Sequence, residues 1–202
     1  SATDSKAYDG AALTNDTVTV GGDGFVNGEG ATYSVTGAQT QPGVSDNVFT
    51  YALNDGTKVG NYEISQVLGK LTVTNRTDEG ETGDTSDSRK YEITVTANSD
   101  TVTYDGTEHS VSGFETLEYA FNGVTYTVSG IEAAAARTDA GETAVAITGT
   151  PVVKDGDGND LTAQFIVNTV SGKLTVNRRS VTLTSATDSK AYDGAALTND
   201  TV

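Results

Sequence analysis

The chain has 202 residues, among them 34 Thr, 23 Gly and 22 Val, with one His and no Cys, Met or Trp. Its 28 acidic residues against 12 basic ones give a net charge of −16, which argues against nucleic acid as a partner because phosphate binding needs clustered Lys and Arg. The missing Cys removes disulfides, thiol catalysis and iron–sulfur centres, one His leaves His-based triads without material, and no window holds the roughly 18 apolar residues of a membrane helix.

The surplus of Thr and Val favours strands, because β-branched side chains fit a pleated, half-buried surface. In chain order, alternating runs predict strands at Thr17–Val20, Thr32–Thr36, Val48–Leu53, Lys70–Thr74, Tyr91–Thr96, Val124–Ser129, Thr143–Thr148 and Lys173–Asn177. Asp-Gly and Asn-Gly pairs such as Asp9-Gly10, Asn27-Gly28, Asp105-Gly106 and Asn122-Gly123 lie between them and suit tight turns. One window, Ile131–Arg137, carries four alanines that favour helix, although it is short for one. The acidic stretch Thr77–Ser88 holds five acids, no base and no large apolar side chain, so an acidic linker over 77–89 is expected. Tyr33, Phe49, Tyr51, Tyr62, Phe114, Tyr126 and Phe165 are the core candidates.

Internal repetition sets the domain plan. Residues 1–18 and 185–202 both read SATDSKAYDGAALTNDTV, a period of 184 residues. A weaker duplication lies inside that period. Tyr8-Asp9-Gly10, Tyr33 and the run Gly69 to Val73 recur in the same order as Tyr104-Asp105-Gly106, Tyr126 and the run Gly172 to Val176. Tyr33 stands 36 residues before Gly69, whereas Tyr126 stands 46 before Gly172, so the second copy carries about ten extra residues, expected around Thr150–Asp160. The predicted organisation is a β domain at 1–76, the acidic linker at 77–89, a second β domain at 90–180 and the start of the next repeat at 181–202. The fold class is all-β: two tandem small β domains, Ig-like or β-grasp-like, with a partial third repeat.

Those landmarks carry a resemblance. The opening Tyr-Asp-Gly, the middle Thr-Tyr-Ser-Val-Thr-Gly (32–37), Asn61-Tyr62 and the closing Gly-Lys-Leu-Thr-Val-Thr (69–74) resemble the tyrosine–glycine type of MBG repeat found in bacterial surface proteins. The second copy departs from the pattern with Gln164-Phe165 in place of Asn-Tyr. The resemblance implies an extracellular, tandemly repeated β module in an adhesin-like protein of the bacterial cell surface. It carries over no catalytic residues.

Candidate sites are sparse. Asp155, Asp157 and Asn159 alternate as the first ligands of an EF-hand loop do, with Asp160 beside them, so calcium is the cofactor this loop could hold. Asp160 stands where that loop needs Gly and Ile166 where it needs a bidentate Glu, and two overlapping Asp-Gly turns give the same residues. Asp23, Asn27 and Glu29 form a lesser oxygen-rich loop. Lys6 with Asn75, or Lys173 with Asn177, are candidates for an intramolecular isopeptide bond, and His109 reads as an exposed turn residue. The expected role is a non-catalytic stalk or spacer whose partners are neighbouring repeats of the same chain. Two other readings stay open: direct binding of a host glycan or protein, and head-to-tail assembly into a filament by strand exchange with another copy. No membrane insertion is expected.

Overall fold

A computed structural model describes residues 1–78 and 88–201, and it is all-β, with two single turns of 3₁₀ helix beside the strands. The first half contains β1 (Asp4–Ala7), β2 (Ala31–Val35), β3 (Gly43–Asn47), β4 (Phe49–Leu53) and β5 (Gly69–Thr74). The second contains β6 (Tyr91–Thr96), β7 (Asp100–Thr103), β8 (His109–Ser112), β9 (Glu118–Phe121), β10 (Val124–Arg137), β11 (Gly141–Asp155), β12 (Phe165–Val170) and β13 (Gly172–Asn177). Most of the acidic stretch, 79–87, lies outside the described residues.

The duplication seen in the sequence returns as duplicated strand register. β5 pairs in parallel with β1 (Asp4 opposite Leu71) and antiparallel with β3 (Gly43 opposite Val73). β13 likewise pairs in parallel with β7 (Asp100 opposite Leu174) and antiparallel with β11 (Gly141 opposite Val176). Period-two alternation explains both central strands: Leu71 and Val73, then Leu174 and Val176, are buried, while Lys70, Thr74, Lys173 and Asn177 face water. The glycine that opens each run has a packing reason. A Cβ on Gly69 would lie 2.1 Å from the Ala2 carbonyl oxygen, and one on Gly172 would lie 2.0 Å from that of Asn98.

Two expectations are corrected, and the open reading of Ile131–Arg137 is decided. Thr17–Val20 is not a strand; Thr17 instead caps the chain entry by accepting a hydrogen bond from the Ala2 N–H at 2.9 Å. Ile131–Arg137 is not a helical turn but the continuation of β10. There Ala134 faces Ala146 of β11 on one side and Ser112 of β8 on the other, so pairing on both edges overrides the alanine preference for helix. The ten extra residues are not confined to Thr150–Asp160. They fall on both arms of the β10–β11 ribbon: Tyr126 stands 15 residues before Gly141 where Tyr33 stands ten before Gly43, Val145 stands ten before Asp155 where Asn47 stands four before Tyr51, and the register shifts between Ser129 and Ile131.

Three ladders of the second half, β10–β8, β10–β9 and β12–β6, have no counterpart among the described strands of the first. β12 pairs in parallel with β6, with Phe165 opposite Tyr91 and Val167 opposite Ile93. Tyr62–Val67, which precedes Gly69 as β12 precedes Gly172, is paired to no strand among the described residues. Only its end is met: the Ser1 amine donates to the Val67 carbonyl at 2.9 Å, as the Ala97 N–H donates to that of Val170 at 2.9 Å.

The principal core runs through both halves. Tyr8, Leu13, Leu71 and Val73 from the first half form one cluster with Ile93, Val95, Tyr126, Val128, Val153, Leu161 and Phe165 from the second. Of the predicted core aromatics, Phe49, Tyr126 and Phe165 are buried, whereas Tyr33 and Tyr51 stay about one-third exposed.

Candidate functional site: the joint between the halves

β1 pairs with β5 one rung beyond its own end, because the Tyr8 N–H donates to the Thr74 carbonyl at 2.9 Å. The chain then turns sharply at Asp9-Gly10. The Asp9 carboxylate closes the turn by accepting from the Ala11 N–H at 2.9 Å and the Lys6 ammonium at 2.6 Å. Burial works to raise the Asp9 pKa, but the Lys6 and Ala11 donors outweigh it and hold the carboxyl below its ordinary value. Gly10 sits at φ +84°, and a Cβ there would meet Val124 Cγ2 at 2.8 Å and the Tyr126 hydroxyl at 3.2 Å. A glycine turn therefore lets the first half press its end against β10 of the second.

That contact drives Tyr8 into the second half. Its side chain is 1% exposed and its hydroxyl lies 3.1 Å from that of Tyr126, the two sharing a hydrogen bond. Tyr126 rests edge-on against Phe165 with centroids 4.8 Å apart, and Phe165 and Phe121 continue the aromatic cluster to Tyr91. Burial, and for Tyr8 the bond to Tyr126, push both phenols above the usual tyrosine range, so they act as neutral hydrogen-bonding groups at physiological pH.

Arg76, just past β5, ties the other side. It is 6% exposed, with its guanidinium carbon 4.0 Å from the centroid of the Tyr91 ring. Nη1 donates to the Tyr8 carbonyl at 2.7 Å and to the Tyr91 hydroxyl at 3.2 Å, and Nε donates to the Arg89 carbonyl. The Arg76 N–H donates to Gln164 Oε1 at 2.9 Å, while Gln164 Nε2 donates to Asn75 Oδ1 at 2.6 Å. Asn122 Nδ2 adds bonds to the Asp9 carbonyl and the Tyr91 hydroxyl. The buried Arg76 and Gln164 thus find partners across the joint, which favours one relative placement of the halves.

The flanks of the acidic stretch belong to the same joint. Thr77 N–H donates to the Ser88 carbonyl at 3.0 Å and Lys90 N–H to the Thr77 carbonyl at 2.9 Å. The chain returns to where it left, and the halves meet directly rather than across an extended connector.

The predicted calcium loop is also built into a turn. Asp155 Oδ1 accepts from the N–H groups of Asp157 (3.1 Å) and Asn159 (2.9 Å); Oδ2 accepts from Asn159 Nδ2 (2.9 Å) and, across the joint, from Gln41 Nε2 (3.1 Å). Burial raises the Asp155 pKa, but these donors lower it by more. Asp160 engages Thr162, through its N–H at 3.0 Å and its hydroxyl at 2.7 Å. Both Asp155 oxygens and Asp160 Oδ1 thus accept hydrogen bonds from the loop, its flank and Gln41. Among the described residues, no group of three or more His, Asp or Glu side chains is placed to hold a metal ion.

The remaining candidates separate. Glu29 accepts from the Tyr62 hydroxyl and makes no common site with Asp23 and Asn27. Lys6 is taken by Asp9 and Asn75 by Gln164, and Lys173 by Glu142 at 3.2 Å, so neither isopeptide pair is brought together by these bonds. His109 lies 3.0 Å from Asp105, whose carboxyl is held at about 2 by the N–H and hydroxyl of Thr107 and by His109. No helix among the described residues is long and apolar enough to cross a membrane.

Sequence reasoning named Tyr8 as a landmark but not as a core residue, and it missed Arg76 and Gln164. A signal for Gln164 was present, since Gln-Phe replaces Asn-Tyr only in the copy that receives a joint from its neighbour. Comparisons with family models, with curated proteins and with solved structures returned no match for this chain.

Proposed function

We propose that the chain is a non-catalytic structural repeat: a spacer of an adhesin-like bacterial surface protein, in which tandem β units hold other domains at a distance. The observation that carries this reading is the joint, where Tyr8 and Arg76 of one half are buried in the other and one apolar core crosses the boundary. A spacer needs connections that resist bending, and a hydrogen-bonded, desolvated joint gives that stiffness where a hydrated linker does not. The resemblance to MBG repeats supplies the extracellular setting. The charge of −16 keeps neighbouring molecules apart, and the missing Cys frees folding from redox conditions. In this reading the Asp155–Asp160 loop is a turn that meets Gln41 at the joint, and no metal is required.

Small-angle X-ray scattering on a chain of two full periods tests the proposal. A compact globule of that size has a radius of gyration of about 21 Å, and the spacer reading predicts rod-like scattering at roughly twice that value, equal in calcium and in chelator. A compact or freely jointed profile contradicts it.

A further inference from the structure

The two halves share one hairpin, and the second half adds a further strand to it. Tyr33 of β2 and Tyr126 of β10 are equivalent landmarks in antiparallel ribbons, with Tyr51 opposite the first and Asp155 opposite the second. β10 has a second partner on its other edge. There β9 runs antiparallel to it, with Tyr119 opposite Tyr126 and Phe121 opposite Val124, and the Val128 N–H donates to the Leu117 carbonyl at 2.8 Å. β2 pairs with β4 alone.

The cause lies in the turn before each strand. Asn122 and Gly123 sit at φ +50° and +80°, the pattern of a type I′ turn, which returns β9 along β10. Asn27-Gly28 stands at the corresponding place and is closed by the Glu29 N–H on the Val26 carbonyl at 3.0 Å. Only Gly28 takes a positive φ there, +85°, and a turn of that type II pattern splays its flanks. Gly22 and Gly24, at φ +68° and +71°, interrupt the extended backbone, and Phe25 packs edge-on against Tyr62 with centroids 5.0 Å apart. Residues 18–30 therefore hold no strand that could lie along β2.

The open edge has a definite parity. The Thr36 N–H bonds the Val48 carbonyl at 2.8 Å and the Asn54 N–H that of Gly30 at 2.9 Å, so Thr32 and Ser34 turn their backbone groups to β4. Ala31, Tyr33 and Val35 turn theirs outward, where no partner meets them among the described residues. They correspond to Val124, Tyr126 and Val128, the positions at which β10 receives β9 and Leu117.

We infer that β2 is a docking edge for β2 of a second copy of this chain, paired antiparallel about a two-fold axis at Tyr33. Across that axis Tyr33 lies opposite itself, Ala31 opposite Val35 and Thr32 opposite Ser34. The outward N–H and C=O groups of Ala31, Tyr33 and Val35 are then bonded as those of β10 are by β9. Charge selects the occupant. Two chains of net charge −16 repel, so they meet where charge is absent; from Gly30 to Asn54 the single charged residue is Asp46, and Lys70 pairs with it. The edge strands β1, β3, β7 and β9 each carry an acid (Asp4, Asp46, Asp100 and Glu118), a usual guard against edge pairing. β2 has no charge, no proline and no bulge. Its side chains also match in this register, since small Ala31 faces Val35 and the Thr32 and Ser34 hydroxyls form a favourable cross-strand pair.

The contact goes beyond the spacer reading and stands without it, because it needs only register and charge. Amide hydrogen exchange of the unaltered chain tests it first. The Tyr33 and Val35 amides should exchange at least threefold more slowly in a concentrated than in a dilute sample, while Thr32 and Ser34, already bonded to β4, change little. Slow exchange of Tyr33 in the dilute sample overturns the open edge, and no change on concentration overturns the pairing with a second copy. The chain has no Cys, so Thr32→Cys and Ser34→Cys, made in separate chains, mixed and oxidised, read the register. Opposed at a non-hydrogen-bonded position, they should give the mixed disulfide at least tenfold over either like pair, against about twofold for random collision. Ala31→Pro in both chains removes an outward N–H and spares the ladder to β4, so the ratio should return to about twofold with the unfolding transition retained. A twofold ratio without the proline, or a tenfold ratio that survives it, overturns the inference.

Discussion

Replacing Tyr126 with alanine is expected to cost about 3–5 kcal/mol of unfolding free energy, the range for deleting a fully buried aromatic side chain. Tyr126 is wholly buried, packs against Phe165 at 4.8 Å and Phe121 at 6.3 Å, and shares its hydroxyl with Tyr8. Truncation opens a void where the two halves meet and leaves the Tyr8 hydroxyl without its partner, so both halves should lose protection together. Tyr126→Phe keeps the ring and removes only the shared hydrogen bond, which costs about 1 kcal/mol. Urea denaturation followed by circular dichroism measures both. A loss below 1 kcal/mol for the alanine variant would place Tyr126 outside the shared core.

Arg76→Ala should cost about 3 kcal/mol, through lost charge-assisted bonds and the carbonyls left behind. The carbonyls of Tyr8 and Arg89 lose a charged donor, and the Tyr91 ring loses the cation at 4.0 Å. Arg76→Lys restores the charge but not the planar fork that reaches Tyr8, Tyr91 and Arg89 at once, so it should recover less than half of the loss. The same denaturation series decides this; equal stability for Lys and Arg would reduce the role of Arg76 to charge alone.

Much of the fold was legible because its signals are local. Alternating Leu71 and Val73, the strand over Tyr91–Thr96 and the landmark glycines report pleat, face and close approach directly. The joint was not legible, and residues 1–18 and 185–202 show why. The two segments are identical, yet Tyr8 is 1% exposed and Tyr192 is 97% exposed. Local bonding is the same in both, since Lys6 with Asp9 and Lys190 with Asp193 form the same turn; burial is decided by what stands opposite, which no window of sequence contains. The alanines of β10 left helix and strand both open for the same reason, and pairing with β8 and β11 decides for strand. The spacing at Asp155–Asp160 was ambiguous for another: alternate carboxylate and amide side chains serve a hydrogen-bonded turn as well as a cation.

The central claim is that the halves form one rigid body through the Tyr8–Arg76 joint. Residual dipolar couplings of backbone amides, recorded on the 202-residue chain in one alignment medium, test this most directly. A single alignment tensor should fit β1, β3 and β5 together with β6, β10, β12 and β13. Two tensors of different magnitude for the two halves would mean that they reorient independently, and the account of a stiff joint would be wrong.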